Sequence, residues 1–212
     1  MNIYFFNAPK QINGFNLLHL FTFVPENTAS TMNTLAQYDA VMAKCKEIFL
    51  KKTRDYGTAW RILRPTSLTD QLYIKAKRIR NLEETKTQKI ADSIDSEYQG
   101  IINYAIMALI QLELDEAAGL ELDAKKVETL YDAQTQIIRD LLALKNHDYG
   151  EAWRDMRMSS FTDMILMKLL RIKQIEENEG KTLISEGLDA NYQDIVNYAV
   201  FALIKGVEML KS

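Results

Sequence analysis

Apolar positions fall at helical spacing over most of the chain. Between about residues 34 and 55, and again between 127 and 148, they recur every three or four places, the period of a helix with one buried face. Each run stops at a glycine, Gly57 or Gly150, which can take the left-handed conformation that ends a helix. A second helix is predicted from Ser67-Leu-Thr-Asp70 to about 84, and from Ser160-Phe-Thr-Asp163 to about 177. Serine with an acid three residues on has the form of a capping box. A third, about 95–115 and 189–210, is apolar almost all the way round and reads as a buried spine. Strand signals are weak, so the fold class is all-α.

These elements come in two matched sets. Residues 52–61, KTRDYGTAWR, return as KNHDYGEAWR at 145–154, with seven of ten letters kept. At this offset, 93, residues 52–84 and 145–177 agree at 16 of 33 positions. After a one-residue insertion, EYQGIINYAIMALI (97–110) matches NYQDIVNYAVFALI (191–204). The chain is therefore a tandem duplication of a three-helix unit of about 90 residues, assigned to 32–118 and 119–212. A fused pair imitates a two-fold homodimer, so the expected architecture is a bundle of two units about a pseudo-two-fold axis. Residues 1–31 have no counterpart in the second half and are expected to be an extension outside the fold.

Composition narrows the chemistry. A net charge of −3 argues against duplex nucleic acid as the main partner. The basic run KAKRIR (75–80) becomes the mostly apolar KLLRIK in the second copy. One cysteine, Cys45, allows no internal disulfide and suits a reducing, cytoplasmic setting. With two histidines, a Cys/His zinc site is all but excluded, and any metal would be a hard cation such as Mg²⁺ held by carboxylates. No apolar run is long enough to span a membrane.

Several polar residues sit where neither core nor surface accounts for them. Asn103 and Asn197 interrupt the spine, and an unpartnered buried amide costs roughly 1–3 kcal/mol. They belong either to an interhelical hydrogen-bond network or to a polar strip lining a cleft. Lys75 with Arg78, and Lys168 with Arg171, share faces of an otherwise apolar helix and need carboxylates or phosphates to face. Asp55 and Asp148 lie in the last helical turn, where the macrodipole disfavours an anion, so each is expected to have a strong cationic partner. Lys52 and Lys145 share their face. Trp60 and Trp153 are either core or a stacking platform for a base.

The combined pattern Lys-x-x-Asp-Tyr-Gly-x-Ala-Trp-Arg, Ser-x-Thr-Asp, Lys-x-x-Arg-Ile and Asp-x-x-Asn-Tyr-Ala resembles the nucleotide-modification-associated domain 1 family, in both copies, from Leu35 to about Leu210. That resemblance implies an α-helical domain tied to nucleotide metabolism or base modification. More distantly, the layout is similar to the all-α MazG-like nucleoside triphosphate pyrophosphohydrolases, which hold Mg²⁺ with Glu-Glu-x-x-Glu on one helix and Glu-x-x-Asp on another. The acids offered to such a metal are Glu83 and Glu84, Glu176 and Glu177, and Asp194. Gly100 replaces the acid in the first copy, which makes the halves unequal.

The resulting expectation is a Mg²⁺-dependent pyrophosphohydrolase or binder of a nucleoside or deoxynucleoside phosphate. Lys52, Lys145, Arg61, Arg154, Lys75, Lys168, Arg78 and Arg171 would hold phosphates. Asp55, Asp148 and Asp194 would serve the reacting water, and Asn103 and Asn197 the sugar or base. The alternative is a non-catalytic nucleotide-binding or accessory module in which these charges form a structural ion-pair network. Either would act as a pseudo-dimeric monomer or as a further homodimer.

Overall fold

Glycine ends the first helix of each half, as predicted. Gly57 at φ +59° and Gly150 at φ +61° follow helices that close at Tyr56 and Tyr149, and the Gly57 amide still reaches back to the Thr53 carbonyl at 2.9 Å. In the computed structural model, which describes residues 28–114 and 118–210 with side chains from Thr34 onward, these are α1 (Thr28–Tyr56) and α4 (Ala124–Tyr149). The remaining helices are α2 (Pro65–Thr85) and α3 (Ile94–Glu113) in the first half, α5 (Met158–Glu177) and α6 (Leu188–Met209) in the second. A four-residue 3-10 turn, Ala59–Ile62 or Ala152–Asp155, joins the first and second helix of each half. Apart from the backbone of α1 from Thr28, the expected extension over 1–31 lies outside the described residues, which contain no strand.

Local signals account for three of the helix starts. The Ser93 side chain accepts from the Ser96 amide, with Asp95 and Glu97 in the first turn of α3 where the macrodipole favours anions. Asp123 caps α4 through the amides of Lys125 and Lys126. The predicted capping boxes at Ser67 and Ser160 do not form. α2 starts earlier because Pro65, with its fixed φ, opens the helix, and Ser67 is already inside the first turn. α5 likewise begins at Met158, with Arg157 as N-cap and no side-chain cap. The Thr of each motif, Thr69 and Thr162, is fully buried and turned to other work.

The halves clasp rather than sit side by side. α2 packs on α3 and α5 on α6 within a half, while α3 meets α6 and α2 meets α5 across the midline. α1 lies against α4 and α6 of the other half. The spines α3 and α6 bury Ile101, Ile102, Ile106, Ile195, Val196 and Val200 completely. Each such side chain removed from water is worth roughly 1.5–3 kcal/mol. Matched polar contacts mark the pseudo-two-fold axis. The Thr69 hydroxyl lies 2.8 Å from Tyr192 Oη and donates to Glu176 at 2.7 Å; Thr162 lies 2.9 Å from Tyr98 Oη and donates to Glu83 at 2.9 Å. Every one of these bonds joins one half to the other. Among the described residues no helix is long and apolar enough to cross a membrane.

Candidate functional site

The duplicated phrase builds the wall of a cleft in each half. The first, about 330 Å³, is lined by Phe49, Lys52, Tyr56, Trp60, Tyr104 and Met107. The second, about 400 Å³, has Leu142, Lys145, Tyr149, Trp153, Tyr198 and Phe201 at the equivalent places. The bend at each glycine leaves the preceding tyrosine standing at the rim, Tyr56 72% exposed and Tyr149 77%. The 3-10 turn carries the tryptophan inward, where Trp153 stacks flat on Phe201 at 4.4 Å. The Arg154 guanidinium lies over the same indole at 4.2 Å. Two groups that close cannot share a face, so both faces of Trp153 are covered and only its edge meets the cleft. Trp153 is core, not a stacking platform.

Within this common frame the charges differ. At the place of Asp194 the first half has Gly100, and Lys75 fills the space: a Cβ on Gly100 would meet Lys75 Cε at 2.9 Å. Lys75 Nζ donates to the buried Glu97 at 3.0 Å, and Arg78 donates to the same carboxylate. In the second half Asp194 lies between Lys145 at 2.8 Å and the buried Lys168 at 2.6 Å. Burial alone would raise the Asp194 pKa; the two ammonium groups outweigh it and hold the carboxyl below the usual carboxylate range. Asp194 is therefore ionised at neutral pH. The Tyr198 phenol beside it is pushed up, chiefly by burial and then by the Asp194 charge.

Unpartnered polar atoms gather in the second half. Among the described residues, Asn146 Nδ2, Trp153 Nε1 and Asn197 Oδ1 are buried without a hydrogen-bond partner, and all three residues line the second cleft. In the first half Asn103 is satisfied: its amide donates to the Cys45 carbonyl at 3.1 Å and its carbonyl accepts from Tyr131 at 2.9 Å. The matching Tyr38 hydroxyl and Asn197 Oδ1 are both left without a bond. The first cleft keeps one such atom, Trp60 Nε1.

Other predicted residues stand elsewhere. Asp55 and Asp148 are exposed and line neither cleft; among the described residues Asp148 meets only His147, at 3.1 Å, and Asp55 has no cationic partner. The expected strong partners are not found among the described residues, and an exposed carboxylate does not need one. Arg61 is tied to the Gly119 carbonyl at 2.8 Å and to Gln111. Arg154 is tied to Glu208 at 2.6 Å, Gln37 at 2.6 Å and Glu151. Both arginines fasten the 3-10 turn to the bundle instead of facing a cleft. Lys75 and Arg78 are taken up by Glu97, while Lys145, Lys168, Asn197 and Asp194 are brought together.

The acids offered to Mg²⁺ are kept apart. Glu83 and Glu176 are engaged by Thr162 and Thr69 on opposite sides of the midline. Glu84 pairs with Arg80 at 3.2 Å, Glu177 faces solvent, and Asp194 holds two lysines. No group of three or more His, Cys, Asp or Glu among the described residues is placed to ligate a metal. As arranged, these residues do not fit a divalent cation. The spacing of acids along helices misses which carboxylates are already occupied by cations and hydroxyls from other elements.

Three contributors to the second cleft, Tyr149, Asn146 and Tyr198, escape the sequence argument, as does Glu97 in the first half. For the tyrosines a signal exists, since each recurs in both copies as Asp-Tyr-Gly or Asn-Tyr-Ala. No curated protein sequence and no solved structure matches the chain. The sequence model of one family, described as nucleotide modification associated domain 1, matches twice, at residues 52–112 and 145–205. Those stretches run from the cleft lysine of each half through its spine and together cover more than half of the chain, which therefore belongs to the nucleotide modification associated domain 1 family.

Proposed function

We propose that the protein is a nucleotide-binding module whose working site is the second cleft. The observation that carries this reading is the divergence of two clefts built on one frame. Only the second sets an ionised carboxylate between two lysines and adds buried amide groups without partners. Its volume, about 400 Å³, falls within the usual range for small-molecule sites of roughly 300–1,000 Å³. Lys145, half out in solvent, is the cation available to a phosphate. Asp194 accepts from a sugar hydroxyl or an exocyclic amine, and Asn146 Nδ2 donates to a base carbonyl or ring nitrogen. With both faces of Trp153 taken, the aromatic surface open to a base is that of Tyr149 and Tyr198.

Calorimetric titration of the full chain with ribo- and deoxyribonucleosides and their triphosphates tests this. Lys145→Ala and Asp194→Asn should each weaken the tightest ligand about tenfold or more, the scale of a lost charged hydrogen bond. Lys52→Ala, at the equivalent place in the first cleft, should leave the affinity unchanged. Absence of binding, or equal loss in the two clefts, would overturn the proposal. Phosphorus NMR of the same mixtures with Mg²⁺ reads turnover directly, and hydrolysis there would put an enzyme in place of a binder.

A further inference from the structure

We infer that Arg171, freed by the loss of the acid with which its counterpart pairs, forms an anion subsite beside the second cleft, and that it takes the phosphate chain of the bound nucleotide; this rests on the nucleotide reading of that cleft. Each half has a second, polar hollow between the end of its middle helix and the loop that follows. In the first half the hollow, about 580 Å³, is lined by Arg78, Asn81, Thr85 and Gln88, and in the second, about 750 Å³, by Arg171, Lys181, Thr182, Ser185, Glu186 and Asn191. The duplication makes one hollow a control for the other. Arg78 is neutralised internally, donating to Glu97 and, at 2.9 Å, to the Asp92 carbonyl.

At the place of Glu97 the second half has Asn191, and Arg171 makes no hydrogen bond or ion pair among the described residues. The acid has moved one helical turn, to Asp194, where it serves Lys168 and Lys145. What remains, among the described residues, is an exposed guanidinium without a counter-ion, in the same hollow as the buried Asn191 amide, whose Nδ2 donates to the Gly187 carbonyl at 2.7 Å and whose Oδ1 has no partner. A guanidinium suits phosphate oxygens, and a neutral amide in place of the carboxylate leaves it free to take them. The subsite adjoins the cleft: Glu186 lines both, and the positive charge of Arg171 is felt at the Tyr198 phenol. The one acid on the shared wall, Glu186, is faced by Lys168 at 3.7 Å, and Lys181 is paired with Glu179.

The decisive variants are Arg171→Ala and Asn191→Glu. The second rebuilds the pair found in the first half, giving Arg171 an internal carboxylate while keeping its side chain in place. Each is titrated with a nucleoside, its triphosphate and inorganic pyrophosphate, with melting temperature as the check on folding. Both should leave nucleoside affinity unchanged and weaken triphosphate about tenfold or more. Unchanged triphosphate affinity in both variants overturns the inference and leaves the nucleotide reading intact. Pyrophosphate binding that depends on Arg171, in a protein that binds no nucleoside, supports the anion subsite and overturns the nucleotide reading of the cleft.

Discussion

Lys168 is almost wholly buried yet charged, and Asp194 is what makes that tolerable. A buried pair is costly to break because the survivor is left desolvated and unpaired. Lys168→Met leaves Asp194 with Lys145 alone and should lower stability by about 1.5–3 kcal/mol in urea denaturation, the scale of a lost charged hydrogen bond, whereas Lys145→Ala, whose side chain is 41% exposed, should cost below about 1 kcal/mol. Similar losses in the two variants would show that Asp194 does not rely on Lys168. At this scale the sequence was partly legible. Gly100 stands out as the missing acid, and its replacement by Glu97 is written one turn earlier, since positions three apart share a helix face and the pair Glu97/Gly100 reverses as Asn191/Asp194. The engagement of Arg61 and Arg154 is not legible in the sequence for a different reason. Their partners, Gly119 and Glu208, come from distant parts of the chain that spacing alone does not bring close.

Helix existence and phase were legible because apolar spacing reports directly on the buried face, and the six α-helices of the described residues lie where that spacing puts them. Helix starts were less so. The Ser-x-x-Asp pattern is a local preference, and Pro65 at the first helical position overrides it in α2. The stops were read correctly, and they carry a prediction. Gly150 combines φ +61° with ψ −147°, a region reserved for glycine, although open space surrounds its Cβ position. Gly150→Ala should then destabilise the protein by about 1–3 kcal/mol through backbone strain alone and should disturb the rim carrying Tyr149. A melting temperature equal to that of the parent would mean that the turn relaxes freely. The same bend, in both copies, explains why Asp-Tyr-Gly recurs: it stops a helix and stands a ring at the mouth of a cleft.

Across the whole molecule, the two Thr–Glu–Tyr triads set the response to pH. Burial raises the carboxyl pKa of Glu83 and Glu176 above the ordinary range, against the opposing pull of their threonine bonds. For a raised carboxyl, the stabilising contribution is complete below the unfolded pKa and is lost as pH rises through the folded one. Asp194 is lowered, so its contribution is present above the unfolded pKa and is lost as pH falls through the folded one. Melting temperature should accordingly rise as pH drops from neutral into the mildly acidic range, then fall on further acidification. The double variant Glu83→Gln/Glu176→Gln should flatten the rise and spare the fall; an unaltered profile would remove the triads from this account. Because every triad bond crosses the midline, a single unit on its own would strand a threonine, an acid and a phenol at a bare apolar face. Neither copy can be discarded without unmaking the other, yet on the proposed function only one has to keep a binding site. Mutual structural dependence of this kind lets an ancestral pair of identical subunits, once joined, specialise one member while retaining its twin as permanent scaffold.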